Sequence, residues 1–336
     1  MKRMLNSIID FIKSNFVILL LIIAIFTVTF VRLPYQVEMP GGIIDLENRV
    51  EVNGEVTDIE GSFNMAYVSV AYGDIYHLIL GLILPDWSIV PDSETMYENE
   101  TVEDATARSK IYLEQSKDYA VAAALNVAEI PFEIENKVNH VAYIAPEAKT
   151  DLKIGDNILK FNGQEVYDLN EFKEYIKETP VDTKVVLEVE RDGEIVDVEG
   201  VIYEEKDNHY IGISVITTFD IISDLNVNIK TKSSESGPSG GMMMALMVYN
   251  SITKQDLTKG KKIVGTGTID LDGNVGEIGG VKYKLMGAVN NNADVFLVPV
   301  DNYEEAMKVK KEKGYDIKIV SVEKLTDAIE YLEGME

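Results

Sequence analysis

The stretch Ser236-Gly237-Pro238-Ser239-Gly240-Gly241, running directly into Met242-Met243-Met244-Ala245-Leu246, constrains this chain more than any other. The first half cannot hold regular structure, and the second reads as a buried helix. Pro fixes φ and suits a helix start, while the glycines let another backbone approach closely. Ser239 then stands beside unpaired N–H groups and the positive end of a helix dipole, where a developing oxyanion is stabilised. Serine is also an ordinary N-cap, so the same stretch reads as a Gly/Ser turn closing a buried helix. What separates the two readings lies downstream, at Gly279-Gly280-Val281-Lys282.

A serine hydroxyl is a weak nucleophile at neutral pH and needs a base. The chain has no Cys and only three His, namely His77, His140 and His209. They are scattered, without the spacing of a metal site, so neither a cofactor nor a metal is expected. A lysine serves as base only when neutral, which requires burial. Lys282, 43 residues after Ser239, has Val281, Leu285, Met243 and Ile278 as apolar company and is the expected base. Lys284 lies two positions on and would point to another face. Ser233, Ser234 and Ser236 are rivals for the nucleophile but fall outside the helix mouth. Thr266 is either a plain strand residue or a partner that fixes the amine. Backbone N–H groups from Pro238 to Gly240 are candidates for the oxyanion hole, although Pro238 itself has none. Met242–Met244 read as adaptable core.

Two other features bound the chain. Its formal net charge of −26 over 336 residues excludes a nucleic-acid partner, because phosphate binding needs a basic surface. Near the start, Phe16 to Val31 is uncharged between Lys13 and Arg32. The run reads as an uncleaved transmembrane anchor in a lipid bilayer, with the basic N-terminus cytoplasmic and the rest outside. A cleavable signal peptide and a buried core helix are the alternatives, and Leu33-Pro34-Tyr35-Gln36 offers no small-residue cleavage site.

From Val37 to Ile130 short strands precede helices. Met39-Pro40-Gly41-Gly42 reads as a turn, Tyr76 to Leu84 as a buried helix, Asp92 to Asp104 as an acidic loop. Ser116 to Val127 has helical spacing, with Lys117 and Asp118 facing solvent. Trp87 should lie near the surface. Glu133 to Glu205 differs: a strand at Val141–Ile144, hairpins at Asn157–Val166 and around Asp192-Gly193, and a helix at Leu169–Lys177. With its Gly155-Asp156 and Asn162-Gly163 turns, this part resembles a bacterial PDZ domain. Such domains bind extended peptides by strand addition. The resemblance implies a carboxylate-binding loop around Glu135 to His140, which lacks the usual glycines, so an internal peptide or a purely positional role stays open.

After residue 210, strands and helices alternate in an α/β pattern. The Ser236–Gly241 stretch, together with "GTIDLDGNVGEIGGVKYKLMGAVNNNADVFLVP", resembles the proteolytic domain of the Lon peptidases. The resemblance places the nucleophile on Ser239, the lysine on Lys282 and the family threonine on Thr266; the acid that follows in the family is Thr268 here. No GxxxxGK[ST] phosphate loop occurs, so no ATPase module is expected in these residues.

The expected architecture is an α/β (α+β) Lon-type proteolytic domain with an inserted PDZ domain and one N-terminal transmembrane helix. The segments would be 1–36 (anchor), 37–130 (packing with the protease), 131–205 (PDZ) and 206–336 (proteolytic). The resemblance implies an ATP-independent, membrane-tethered Ser–Lys endopeptidase acting on extracytoplasmic proteins or secreted peptides, and a homo-oligomeric ring. The alternatives are a catalytically silent PDZ adaptor, or a subunit driven by a separate ATPase.

Overall fold

The computed structural model describes residues 11–335. The chain divides into two compact units: the described part of Met1–Pro40 with Val68–Thr95, and Gly41–Tyr67 with Met96–Glu336.

In the smaller unit, helix α1 (Phe16–Phe30) leads into the strand Arg32–Asp45, whose residues Tyr35–Glu38 pair antiparallel with Ser88–Pro91. α1 has 15 residues, about 22 Å at 1.5 Å each. Among the described residues no helix is long and apolar enough to cross a membrane, so the expected transmembrane helix is not found there. The physical reason is the stop at Val31, which is already extended at ψ 119°. Pro34 restrains its own predecessor Leu33 to extended backbone, and the strand begins. Residues 1–10, the rest of the expected basic N-terminus, lie outside the described residues.

Helix α2 (Ile75–Ile83) is capped by Asp74, whose carboxylate accepts the His77 N–H at 2.8 Å. The expectation of a buried helix fails: none of its residues is buried, and Leu82 is 79% exposed. An all-apolar segment carries no polar face from which exposure could be read. Trp87 is half-buried, its ring stacked on His77 at 6.2 Å.

The larger unit is built on parallel strands in the order Lys318–Val322, Val295–Pro299, Lys262–Gly265 and the first residues of Ser62–Asp74. Val295–Pro299 is buried throughout, as a strand covered on both faces must be. Helix α3 (Val102–Val127) starts earlier than Ser116, at a capping box in which Thr101 and Asp104 satisfy each other's backbone N–H groups. The acidic loop therefore gives way to helix at Val102. Met39–Gly42, expected as a turn, lies within the strand Arg32–Asp45.

The PDZ-type part has its own sheet, ordered Glu194–Val201, Lys184–Arg191, Asn157–Phe161, Phe132–Ile144 and Ile213–Ser223. Helix α4 (Leu169–Glu178) seals its core with Phe172 and Ile176, against Phe161 and Leu187. The strands by which the chain enters and leaves run antiparallel side by side, from Phe132↔Ser223 to Ile144↔Ile213. That pairing is what permits the insertion. Glu135–His140, expected as the ligand loop, is the middle of the entering strand. The loop that instead leads to the edge strand is Ile211-Gly212-Ile213, with Gly212 at φ +79° and Ala148 too close for any Cβ.

Four more helices complete the unit: α5 (Gly241–Thr253), α6 (Val281–Asn290), α7 (Tyr303–Lys313) and α8 (Leu325–Glu333). α5 packs with Ile263 and Leu297, whereas α6 packs with Val264, Phe296 and Val298. Because successive strand residues point to opposite faces, α5 and α6 cover opposite sides of the parallel sheet.

Candidate active site

Ser239 stands at the mouth of α5 on a turn held by hydrogen bonds on both sides of it. Gly237, at φ +87°, donates its N–H to Ser109 O at 2.8 Å. Pro238 O accepts the Ser116 hydroxyl at 3.0 Å and the Gly241 N–H at 3.1 Å. Ser239 O accepts the Gly267 N–H at 2.8 Å and the Thr266 hydroxyl at 3.0 Å. The backbone of Ser239 is thus clamped between the sheet and α3, while the residue itself stays half-buried. Ser233, Ser234 and Ser236 are exposed.

The glycines are there for close approach. A Cβ on Gly240 would come within 2.6 Å of Met65 Sδ, and one on Gly241 within 2.6 Å of Ser116 Oγ. Gly240 caps α5 without a side-chain hydrogen bond, which leaves the positive end of the helix facing the serine. The Gly241 and Met242 N–H groups are already given to Pro238 O and Gly267 O, so these two are not open as oxyanion donors. Met242, Met243 and Met244 are fully buried.

Thr266 is buried and joins the strand Lys262–Gly265 to the serine turn. Its hydroxyl donates to the Ser239 carbonyl, so the threonine fixes the nucleophile's backbone.

The lysines separate clearly. Lys282 is only partly buried, and its Nζ lies 5.1 Å from the centre of the Tyr283 ring. Lys284 is 4% exposed. In α6 the buried residues are Val281 and the whole run from Tyr283 to Ala288, among them the i, i+3, i+4, i+7 set Val281, Lys284, Leu285 and Ala288, and Lys282 is not one of them. Burial, the condition placed on the base, is met at Lys284 rather than at Lys282. The signal was available in the sequence: taking Val281 instead of Lys282 as the first residue of the stripe puts Lys284 inside.

A second residue that the sequence reading missed is Asn302, 8% exposed. Its side-chain amide accepts the Ile278 N–H at 2.8 Å and donates to Ile278 O at 3.0 Å. These bonds hold the Gly279-Gly280 turn, from which α6 departs with Gly280 at φ 70°. The expected placement of Asp118 also fails. It is half-buried and accepts the Phe219 N–H at 3.1 Å, and burial pushes its carboxyl up to about 7.

Comparison with known proteins bears on this geometry. A model of the Lon protease (S16) C-terminal proteolytic domain matches residues 223–333, and a PDZ domain model matches residues 112–200. The Lon protease of Helicobacter pylori strain J99 is 25% identical over 234 residues, which cover 64% of this chain and 27% of that protein. The Lon protease of Campylobacter jejuni is 31% identical over 98 residues, covering 29% of this chain and 12% of that protein. The chain thus spans about a quarter, or less, of the length of these relatives. Among solved structures, the PDZ domain of the SdrC-like protein of Listeria monocytogenes is 18% identical with a TM-score of 0.23, covering 25% of this chain and 93% of that one. The chain is a mixed α/β protein with a PDZ-like part and a segment similar to the Lon proteolytic domain, and that segment contains Ser239, Thr266, Lys282 and Lys284.

Proposed function

We propose that the chain is a serine endopeptidase in which Ser239 is the nucleophile and Lys284 the general base. The observation that carries this reading is that the Lon-like segment holds both a backbone-clamped serine at a helix mouth and a lysine buried on α6. A general base has to be a neutral amine, and burial is the condition that favours one. Ser239 Oγ attacks the scissile carbonyl carbon as its proton passes to Lys284 Nζ. The carbonyl oxygen, now negative, is met by N–H groups at the positive end of α5. Collapse expels the amine product, which takes the proton from Lys284. Water then attacks the ester, again through Lys284, and frees Ser239. Thr266 and Gly267 keep the serine's peptide fixed throughout.

The substrates are proteins or peptides, and the PDZ-like part presents them. An extended segment adds to the edge strand Ile213–Ser223, which has a strand partner on one side only, at positions away from Thr217 and Phe219, whose backbone groups α3 holds. Hydrolysis proceeds without ATP. Membrane association through the apolar α1 and action outside the cytoplasm belong to the same proposal. Support comes from side chains such as Val17, Ile18 and Ile25, exposed at 57–69% without a polar face among them.

The test is hydrolysis of a quenched-fluorescent peptide panel and of casein by residues 32–336, beside Ser239→Ala, Lys284→Met and Lys282→Met. Cleavage by wild type and Lys282→Met, lost in the other two, is the expected result. Equal inertness of all four would leave the catalytically silent PDZ adaptor as the better reading.

A further inference from the structure

Helix α3 touches the serine turn with one face and the PDZ-like part with another. On the first face Ser109 O takes the Gly237 N–H at 2.8 Å and Ser116 Oγ donates to Pro238 O at 3.0 Å. Ser109 and Ser116 are seven residues apart, within about 20° on the helix wheel. On the second face Gln115 Nε2 donates to Thr217 O at 3.0 Å and Asp118 accepts the Phe219 N–H at 3.1 Å. Thr217 and Phe219 belong to the edge strand Ile213–Ser223. Phe219 sits where its register against the neighbouring strand shifts, so its N–H is turned out of the ladder and toward α3.

We propose that α3 is a relay: the grip of Gln115 and Asp118 on the edge strand sets the position of Ser109 and Ser116, and through them the position of Ser239. Neighbouring positions on one helix connect the two grips. Gln115 and Ser116 are consecutive, and Asp118 is half a turn beyond. Their side chains are fixed on a rod whose inner residues, Ala120 to Leu125, are all buried. A helix packed in this way moves as a unit, by translation or rotation, and does not bend at one residue. A peptide that adds to the edge strand elsewhere along its length shifts the strand, Thr217 and Phe219 carry that shift to α3 through the bonds it already makes, and the serine turn follows. Ser116 and Asp118 are therefore positioning residues and touch no substrate.

The inference rests in part on the peptidase reading, and two readouts keep the two apart. In the first, full-chain protein is assayed with a peptide too short to reach the PDZ-like part. Asp118→Leu, which removes the acceptor, lowers kcat about five- to tenfold with KM unchanged. Asp118→Asn, which keeps an acceptor for Phe219, restores it, and Gln115→Ala lowers kcat in the same direction should Asp118→Leu fold poorly. In a double-mutant cycle, Ser116→Ala combined with Asp118→Leu is no worse than the worse single change. Independent multiplication of the two effects, or equal kcat in the Leu and Asn variants, overturns the relay. The second readout is amide hydrogen exchange, which needs no activity. Asp118→Leu speeds exchange at Gly237 as well as at Phe219; faster exchange at Phe219 alone overturns the relay. An inactive wild type with the Gly237 effect intact would instead sink the peptidase reading and leave the relay standing.

Discussion

Lys284 and Asp118 are two charged residue types drawn into the larger unit, and each makes a prediction of its own. Replacing Lys284 with Met keeps volume and apolar packing while removing the amine. Turnover of a peptide substrate should fall at least about a hundredfold, as loss of a general base does. Lys282→Met should stay within about threefold of wild type, since a half-exposed lysine off the buried stripe contributes little. For Asp118 the expectation concerns stability. Its carboxyl sits at about 7 in the folded chain against 3.8 ordinarily, with burial the leading cause and Glu114 and Asp220 adding to it. Between those two values the folded chain binds more protons at this site than the unfolded one, so stability falls as pH rises through the window. Asp118→Asn abolishes that term. Its melting temperature should exceed that of wild type at pH 8, and the gap should close toward pH 4; a gap that does not vary with pH would contradict the assignment. The residue types were legible in the sequence, but the placement of each was only partly so. Ser239 and Thr266 stand next to glycines that fix their surroundings; Ser239 lies on the turn expected of it, whereas Thr266, expected within a strand, lies one residue past the end of Lys262–Gly265. In α6 nearly every residue from Val281 to Val289 is apolar, so a stripe begun at Lys282 fits as well as one begun at Val281. Only the sheet beneath, with Val264 and Phe296, decides between them.

Elements were easiest to read where backbone chemistry, rather than hydrophobicity, marks their ends. The start of α5 follows from Pro238 and the glycines, and the start of α3 from Thr101 and Asp104 once the pair is taken as a capping box. Hydrophobicity alone misled at α2, where an apolar helix has no buried residue. It was equally silent on Glu135–His140, because both connecting strands look alike and only their pairing shows that these residues lie inside a strand. The packing of α3 against α5 yields a prediction at this scale. Gly241→Ala would bring a methyl within 2.6 Å of Ser116 Oγ and 2.8 Å of Ile269 Cγ2. Overpacking of this kind costs about 1–3 kcal/mol. The urea midpoint should drop accordingly, and Gly241→Ala combined with Ser116→Ala should recover part of the loss by clearing one of the two atoms. No drop in the single variant would mean that α3 and α5 are free to separate.

For the whole molecule, one fact of charge and one of exposure point in different directions. The net charge of −26 keeps the chain away from anionic surfaces, yet the described part of the smaller unit offers two apolar helices to its surroundings. In α1, Phe16, Val17, Ile18, Leu21, Ile22 and Ile25 are each 56–69% exposed, and consecutive residues on a helix point all round its axis. A protein partner would cover one side of such a helix and leave the other in water. A lipid phase covers every side and asks for no hydrogen bonds, because the helix satisfies its own backbone. At roughly 1.5–3 kcal/mol for each large side chain taken out of water, a few residues suffice for binding even without a full crossing. Full-length protein should therefore float with vesicles of zwitterionic phosphatidylcholine in a density gradient, and 0.5 M salt should not release it, since the attraction is apolar and salt screens only charge (Debye length about 3–8 Å above physiological ionic strength). Protein lacking residues 1–31 should float much less, and Leu82→Asp with Ile83→Asp on α2 should weaken the remainder, as both side chains are among the most exposed. Full-length protein left at the bottom of the gradient would end the membrane proposal, and with it the reason to place the peptidase outside the cytoplasm, while the chemistry at Ser239 would be untouched.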